Sequence, residues 1–252
     1  MTALRPGQTG LRLAELAALL PRPRAIVVAS AHWLGRVPLV STSARPQTIH
    51  DFGGFPEALH RLQYPAPGAP ELAQEVLDRL AGAGLQPVAD PDRGLDHGAW
   101  VPLRLLYPQA DVPVLQVSIQ PLAGPAHQLA VGRALAPLRE QGVLLIGSGS
   151  ITHNLGDWQA ARDAGEVPYL RPFAGWIEQQ LLADDLPALL DYRRRAPFAA
   201  AAHPTDEHLL PLYFAMGAAG GEGLGAQRIE AGIDMGLLAM DIYRFDGAAS
   251  PH

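Results

Sequence analysis

The chain contains no cysteine and no lysine. The first absence excludes thiolate catalysis, disulfides, iron–sulfur clusters and Cys-ligated zinc. The second excludes Schiff-base chemistry and the phosphate-gripping lysine of a P-loop, since all 19 basic residues are arginine. Positive clusters are equally scarce. The net charge is −6 and the one basic run is Arg193-Arg194-Arg195, which reads as a solvated helix end, so no nucleic-acid partner is expected. No apolar run approaches the length of a membrane span, and the first residues do not form a secretory signal. No membrane partner is expected, and a cytoplasmic location is the default. Charged residues make up 17% of the chain and hydrophobic ones 48%, the balance of a well-packed globular protein. Its 252 residues suit one large α/β domain over 1–252. The chemical resource that remains is nine histidines and the carboxylates beside them.

Two stretches deliver histidines in the same way. In Ala25-Ile-Val-Val-Ala-Ser-Ala-His32-Trp33, an apolar run with no polar face ends on an imidazole. Such a run suits a strand covered on both sides. Ligands of helix-flanked sheets sit beyond the carboxyl ends of the strands, which is where His32 would stand. Val143-Leu-Leu-Ile-Gly-Ser-Gly-Ser-Ile-Thr-His153 repeats the pattern.

Around them the chain alternates. A helix over 11–20 stops at Pro21 and Pro23. Strands follow at 25–31 and 37–42, then a polar loop holding Thr48-Ile-His50-Asp51-Phe-Gly-Gly-Phe55-Pro56 that tends to line a site. Helices are expected at 69–82, 99–107, 125–140, 169–182 and 186–193, with strands at 86–88, 112–119 and 143–148. Pro204-Thr-Asp-Glu-His208 is expected to open a further helix through a polar cap and an acidic first turn. Closing strands are placed near 227–231 and 237–243. The pattern predicts one α/β sandwich with a mostly parallel central sheet flanked by helices.

Five histidines stand where loops meet elements: His32, His50, His97, His153 and His208. Taken singly, each could be an ordinary surface or hydrogen-bonded histidine. Clustered, they suit a borderline metal such as Fe(II) or Zn(II). His60 and His127 fall inside helical patterns and are expected to be exposed. His252 is terminal, and His203 sits five residues from His208 rather than at the four-residue offset of a helical ligand pair. Gly147-Ser-Gly149-Ser-Ile-Thr152 lacks the third glycine of a dinucleotide loop and does not match a serine-hydrolase elbow.

Read together, Ser30-Ala-His32-Trp33, Thr48 to Pro56, Asp96-His97-Gly98-Ala-Trp100, His153-Asn-Leu155 and Pro204-Thr-Asp-Glu-His208 resemble the class III extradiol ring-cleavage dioxygenases. The branch they resemble most is the LigB-like, DOPA 4,5-dioxygenase group. The likeness runs from about residue 1 to 245, in order and with compatible spacing. It implies a divalent metal held by three side chains, Fe(II) in active enzymes and often zinc in purified protein. By position, His32 and His208 match two metal ligands, His153 matches the acid–base histidine, and His50 and His97 match histidines that line the substrate cavity. The substrates implied are a catechol such as DOPA and O2, and the product a ring-opened semialdehyde. An imidazole titrating near neutrality could take a proton from the ring hydroxyl and later return it.

The family's first ligand belongs to an N-terminal strand ending in His-Gly-Ser-Pro, which this chain lacks. A downstream start site or a truncation is the expected cause. With two imidazoles where three ligands are usual, metal binding by this chain is expected to be weak. His50 or His97 could serve as a substitute ligand, whereas Glu207 would point about 100° away from His208 on a helix. A missing central strand would expose neighbouring edges and favour a homodimer or poor solubility. Two other functions stay open: a metal-poor, non-catalytic binding protein of the same fold, and a zinc-dependent hydrolase.

Overall fold

Ile26, Val27 and Val28 are all buried, which requires cover on both faces of their strand. A computed structural model, describing residues 2–247, supplies it. Helix α1 (Gly7–Leu19) leads into β1 (Ala25–Leu34) and β2 (Leu39–Ser41). Then come α2 (Glu57–His60), α3 (Pro70–Gly82), β3 (Val88–Asp90), α4 (His97–Leu106), β4 (Val114–Ile119), α5 (Gly124–Leu135) and β5 (Val143–Ser148). A run of helices follows, α6 (Trp158–Ala164), α7 (Leu170–Leu182), α8 (Leu186–Leu190), α9 (Tyr192–Arg195), α10 (Ala199–Ala202) and α11 (Leu210–Ala218). The described chain closes with β6 (Ala226–Ile229), β7 (Ile233–Asp234), β8 (Leu238–Ala239) and β9 (Ile242–Phe245). His252 lies outside the described residues, among which no helix is long and apolar enough to cross a membrane.

The central sheet has five strands in the order β3-β2-β4-β1-β5. β1 runs parallel to both β4 and β5, and β2 parallel to β3; the single antiparallel contact is Val40 against Val117. The expected mostly parallel α/β sandwich is therefore what forms. Alternation along β1 divides the core. Val27 and Ala29 pack with Leu72, Val76 and Leu80 of α3, Leu129 and Leu135 of α5, and Phe214 of α11. Ile26 and Val28 face Trp100, Leu103 and Leu106 of α4.

Several elements depart from the sequence expectation. β1 continues to Leu34, and its register against β4 shifts between Ala29 and Leu34, so His32 lies in an irregular strand end. Irregularities of this kind re-aim a side chain. Residues 204–209 form bends and turns, and α11 opens only at Leu210. The helix expected over 186–193 divides at Asp191 into α8 and α9, and the one over 125–140 ends in a 3-10 stretch, Ala136–Gln141. The closing strands stay out of the central sheet and make two separate antiparallel ribbons, β6 with β9 and β7 with β8.

Candidate active site

Because β1 and β5 are parallel and in register, Ser30 beside Ser148, their carboxyl ends share one rim. His32 follows directly on the β1 side. The 47–51 loop is tacked beside it by Leu95 N–H to Gln47 O (2.7 Å) and Ile49 N–H to Leu95 O (2.7 Å). Trp100, fully buried, donates its indole N–H to Ile49 O at 2.9 Å. These bonds bring Asp51 to the start of α4, where its Oδ1 accepts the His97 N–H at 2.9 Å.

The other half of the rim is built where β5 runs out. Ser150 N–H donates to His208 O and His153 N–H to Ala202 O, each at 2.9 Å. The Gly147-Ser-Gly149 run, which fits no nucleotide or hydrolase motif, acquires its purpose here. A Cβ on Gly149 would lie 2.1 Å from His208 O, and one on Gly147 2.0 Å from Pro211 O, so only glycine permits the approach. His203, fully buried, is bound through Nε2 to Ile151 O at 2.8 Å. Arg193 donates to His203 O at 2.5 Å and pairs with Asp206, which also accepts from Tyr192 Oη. Arg193 is thus a clamp on the loop carrying His208. The expectation of a solvated helix end holds for Arg194 and Arg195, which pair with Asp191 of their own helix.

Four imidazoles meet between these halves. His153 stacks on His208 with ring centroids 3.4 Å apart and planes within 4°. His208 lies 5.0 Å from His32, and His32 lies 3.8 Å from His97. Asp51 faces two of them, with His97 Nδ1 at 3.0 Å and His32 Nδ1 at 3.8 Å. One ligand atom each from His32, Asp51 and His97 fall within 4.8 Å of one another. Two further observations suit a cation. His208 Nε2 is buried without a hydrogen-bond partner, and so is His97 Nδ1, which stands off the line a bond to Asp51 would need. Imidazole and carboxylate donors of this kind fit Fe(II) or Zn(II).

Glu207 behaves differently from the expectation. Because residues 206–208 are turn and not helix, its Oε1 reaches 3.2 Å from His208 Nδ1. A carboxylate on one ring nitrogen orients the imidazole and leaves the other free for a ligand. The same contact with His208 holds the Glu207 carboxyl down at about 2. Burial would raise Asp51, but the nearby His97 imidazole and the His97 backbone N–H outweigh it and hold that carboxyl at about 2. Burial, then the charges of His97 and His208, lower His32 to about 4. Burial and the charge of His208 lower His153 to about 3. Both rings are neutral at physiological pH, the form that can ligate a metal or accept a proton.

His50 is set one aromatic layer back. Its Nε2 lies 2.8 Å from Leu62 O, and its ring packs against Trp100 (5.7 Å), Phe52 (5.8 Å) and His60 (6.1 Å). Phe52 bridges it to His97 at 5.5 Å. His60 and His127 are half-buried, contrary to the expectation of exposure, because His60 packs on Phe52 and His127 reaches Gln120 Oε1. The sequence alone marks no role for Asp51 or Phe52, and a helical reading of residues 204–208 turns Glu207 away from His208. Asp51 and Phe52 adjoin His50 within one motif, and that adjacency was the available signal.

A histidine-rich rim with a candidate metal-binding triad sits on a mostly parallel α/β sheet, and comparison with known families makes the class specific. The profile described as the catalytic LigB subunit of aromatic ring-opening dioxygenase matches residues 9–233. The chain belongs to that family of extradiol ring-cleavage dioxygenases. It is 45% identical over 225 residues to the 4,5-DOPA dioxygenase extradiol of Beta vulgaris, covering 89% of this chain and 83% of that protein. With the protein of the same name from Escherichia coli (strain K12) it shares 39% identity over 230 residues, covering 90% and 83%. The crystal structure of an uncharacterized protein from Escherichia coli K12 matches with a TM-score of 0.72 at 33% identity, over 92% of this chain and 90% of that one.

Proposed function

We propose that this chain cleaves the ring of a catechol such as DOPA with O2, using Fe(II), with His153 as the acid–base group. What carries this is the meeting of His32, His97, His153, His208 and Asp51 at one sheet rim. His32 and His208 would hold the ion, with Asp51 and His97 as the further donors in reach. Fe(II) there would supply a centre able to take both adjacent hydroxyls of a catechol beside dioxygen and pass electron density between them.

The chain's own residues supply the rest. Neutral His153 offers an imidazole nitrogen to the proton of a ring hydroxyl. Burial lowers it to about 3, below the near-neutral titration expected from sequence, so it is a weaker base than a free imidazole and gives the proton back readily. The proton then returns to the oxygen of the opened ring. Glu207 holds the His208 ring in one orientation, and Asp51 holds the His97 backbone N–H at the start of α4. Phe52, backed by His50 and the buried Trp100, offers its ring to an aromatic guest and keeps water from one side of it.

The test is anaerobic loading with Fe(II), addition of L-DOPA, and admission of air. A yellow semialdehyde should form with one O2 taken up per catechol lost. A flat oxygen trace would overturn the proposal, and catechol-independent ester or amide cleavage with zinc bound would point to a hydrolase instead.

A further inference from the structure

Asp96 touches neither the proposed ion nor a substrate, yet it is fully buried and four segments converge on it. Its Oδ1 accepts from the Ser30 hydroxyl at 2.6 Å and the Ala99 N–H at 3.1 Å. Its Oδ2 accepts from Arg93 Nη2 at 2.6 Å and Gln116 Nε2 at 2.7 Å. Its own N–H donates to Gln116 Oε1 at 3.1 Å. Each carboxylate oxygen therefore meets two donors.

The bonds lead onward to the rim. Ser30 Oγ accepts the His32 N–H at 3.2 Å, and Arg93 Nη2 lies 3.4 Å from His32 O. On its other side Asp96 is joined by one peptide bond to His97 and caps the helix that begins there. Burying a carboxylate is costly unless it is paired and hydrogen-bonded, and a helix cap alone would be served as well by serine or asparagine. The extra donors from β1, β4 and the Arg93 loop have no part in capping. They tie the backbone of His32 and that of His97 to one group.

We infer that Asp96 is the positioning residue that sets His32 and His97 relative to each other, and with them the donor spacing open to a divalent ion. Its catalytic consequence rests on the proposed function; its geometry does not. Asparagine at 96 keeps the shape, but its NH2 would face two donors on whichever side it is placed.

In the metal-free protein, Asp96→Asn should move the ring nitrogen NMR shifts of His32 and His97. Its affinity for Co(II) should fall about 10–100-fold, with an altered Co(II) absorption band. Leu80→Ala, a core truncation on the far side of the sheet, controls for lost stability: it should lower Tm and leave shifts and affinity in place. Should Asp96→Asn fail to fold, Ser30→Ala removes the acceptor of the His32 N–H and one donor to Asp96, leaves the Arg93, Gln116 and Ala99 donors in place, and should move the His32 shifts more than those of His97. Unmoved shifts in the variant that folds, or a Co(II) affinity no lower than that of Leu80→Ala, overturn the inference whatever the catechol assay reads. Moved shifts in the variant, together with no oxygen uptake by the Fe(II)-loaded parent protein, overturn the proposed function and leave this inference standing.

Discussion

At the scale of residues, burial decides the charge state of the rim. His153 and His32 lie well below the ordinary histidine value of 6.5, so both enter any reaction at neutral pH as bases or ligands and not as acids. His153→Gln, which keeps bulk beside His208 but cannot carry the proton, should cut kcat by roughly 10²- to 10⁴-fold and leave Co(II) affinity within about threefold. Oxygen uptake at saturating catechol and calorimetric titration separate the two effects, and a loss of kcat below about tenfold would remove His153 from the acid–base role. Asp51→Asn deletes the one anionic donor of the His32, Asp51 and His97 group. Co(II) affinity should fall about 10–100-fold, and equal affinity in variant and parent would mean the carboxylate takes no part in holding the ion. The histidines stood out in the sequence because cysteine and lysine were missing and little else could carry chemistry. Asp51 and Asp96 did not, since one carboxylate among 25 looks like another until its donors are known.

At the scale of elements, legibility followed apolar pattern. β5 was expected over 143–148 and runs over those residues, and α3 and α7 begin one residue from where the pattern put them. Each has a face or a run that only one packing can bury. The 204–209 segment carries a helix-cap pattern yet stays a turn, because Arg193 and Tyr192 hold Asp206 and the Ser150 N–H holds His208 O from outside the segment. Local propensity is a weak prior against such tertiary contacts. Gly147 tests the packing that results. Gly147→Ala drives a Cβ into Pro211 O at the start of α11 and should cost about 1–3 kcal/mol of stability. Urea melts measure it, and an unchanged midpoint would show that β5 and α11 can part without penalty.

At the scale of the whole molecule, buried imidazoles tie stability to pH. His32 and His203 are lowered to about 4 and His153 to about 3, with burial the first cause in each. Below the ordinary value of 6.5 an unfolded histidine takes up a proton that the folded one refuses until near pH 4. The unfolded chain therefore binds more protons in that window, and the unfolding free energy of the metal-free protein should rise with pH through it and level off above. The slope is at most about 1.4 kcal/mol per pH unit for each histidine. Urea melts from about pH 4.5 to about pH 7.5 check the sign, and a flat profile below 6.5 would mean the rings protonate inside the fold.

By itself the sequence determined the class of fold, the strands that reach the rim, and the histidines on which any chemistry must draw. Apolar periodicity and residue type are local properties, and no folding is needed to read them. Only the tertiary structure decided which side chains meet: that His153 lies flat on His208, that Asp51 and not His50 joins His32 and His97, and that Asp96 anchors both backbones. Those contacts join residues tens of positions apart, and their geometry follows from how two faces of one sheet are packed, which no local pattern encodes.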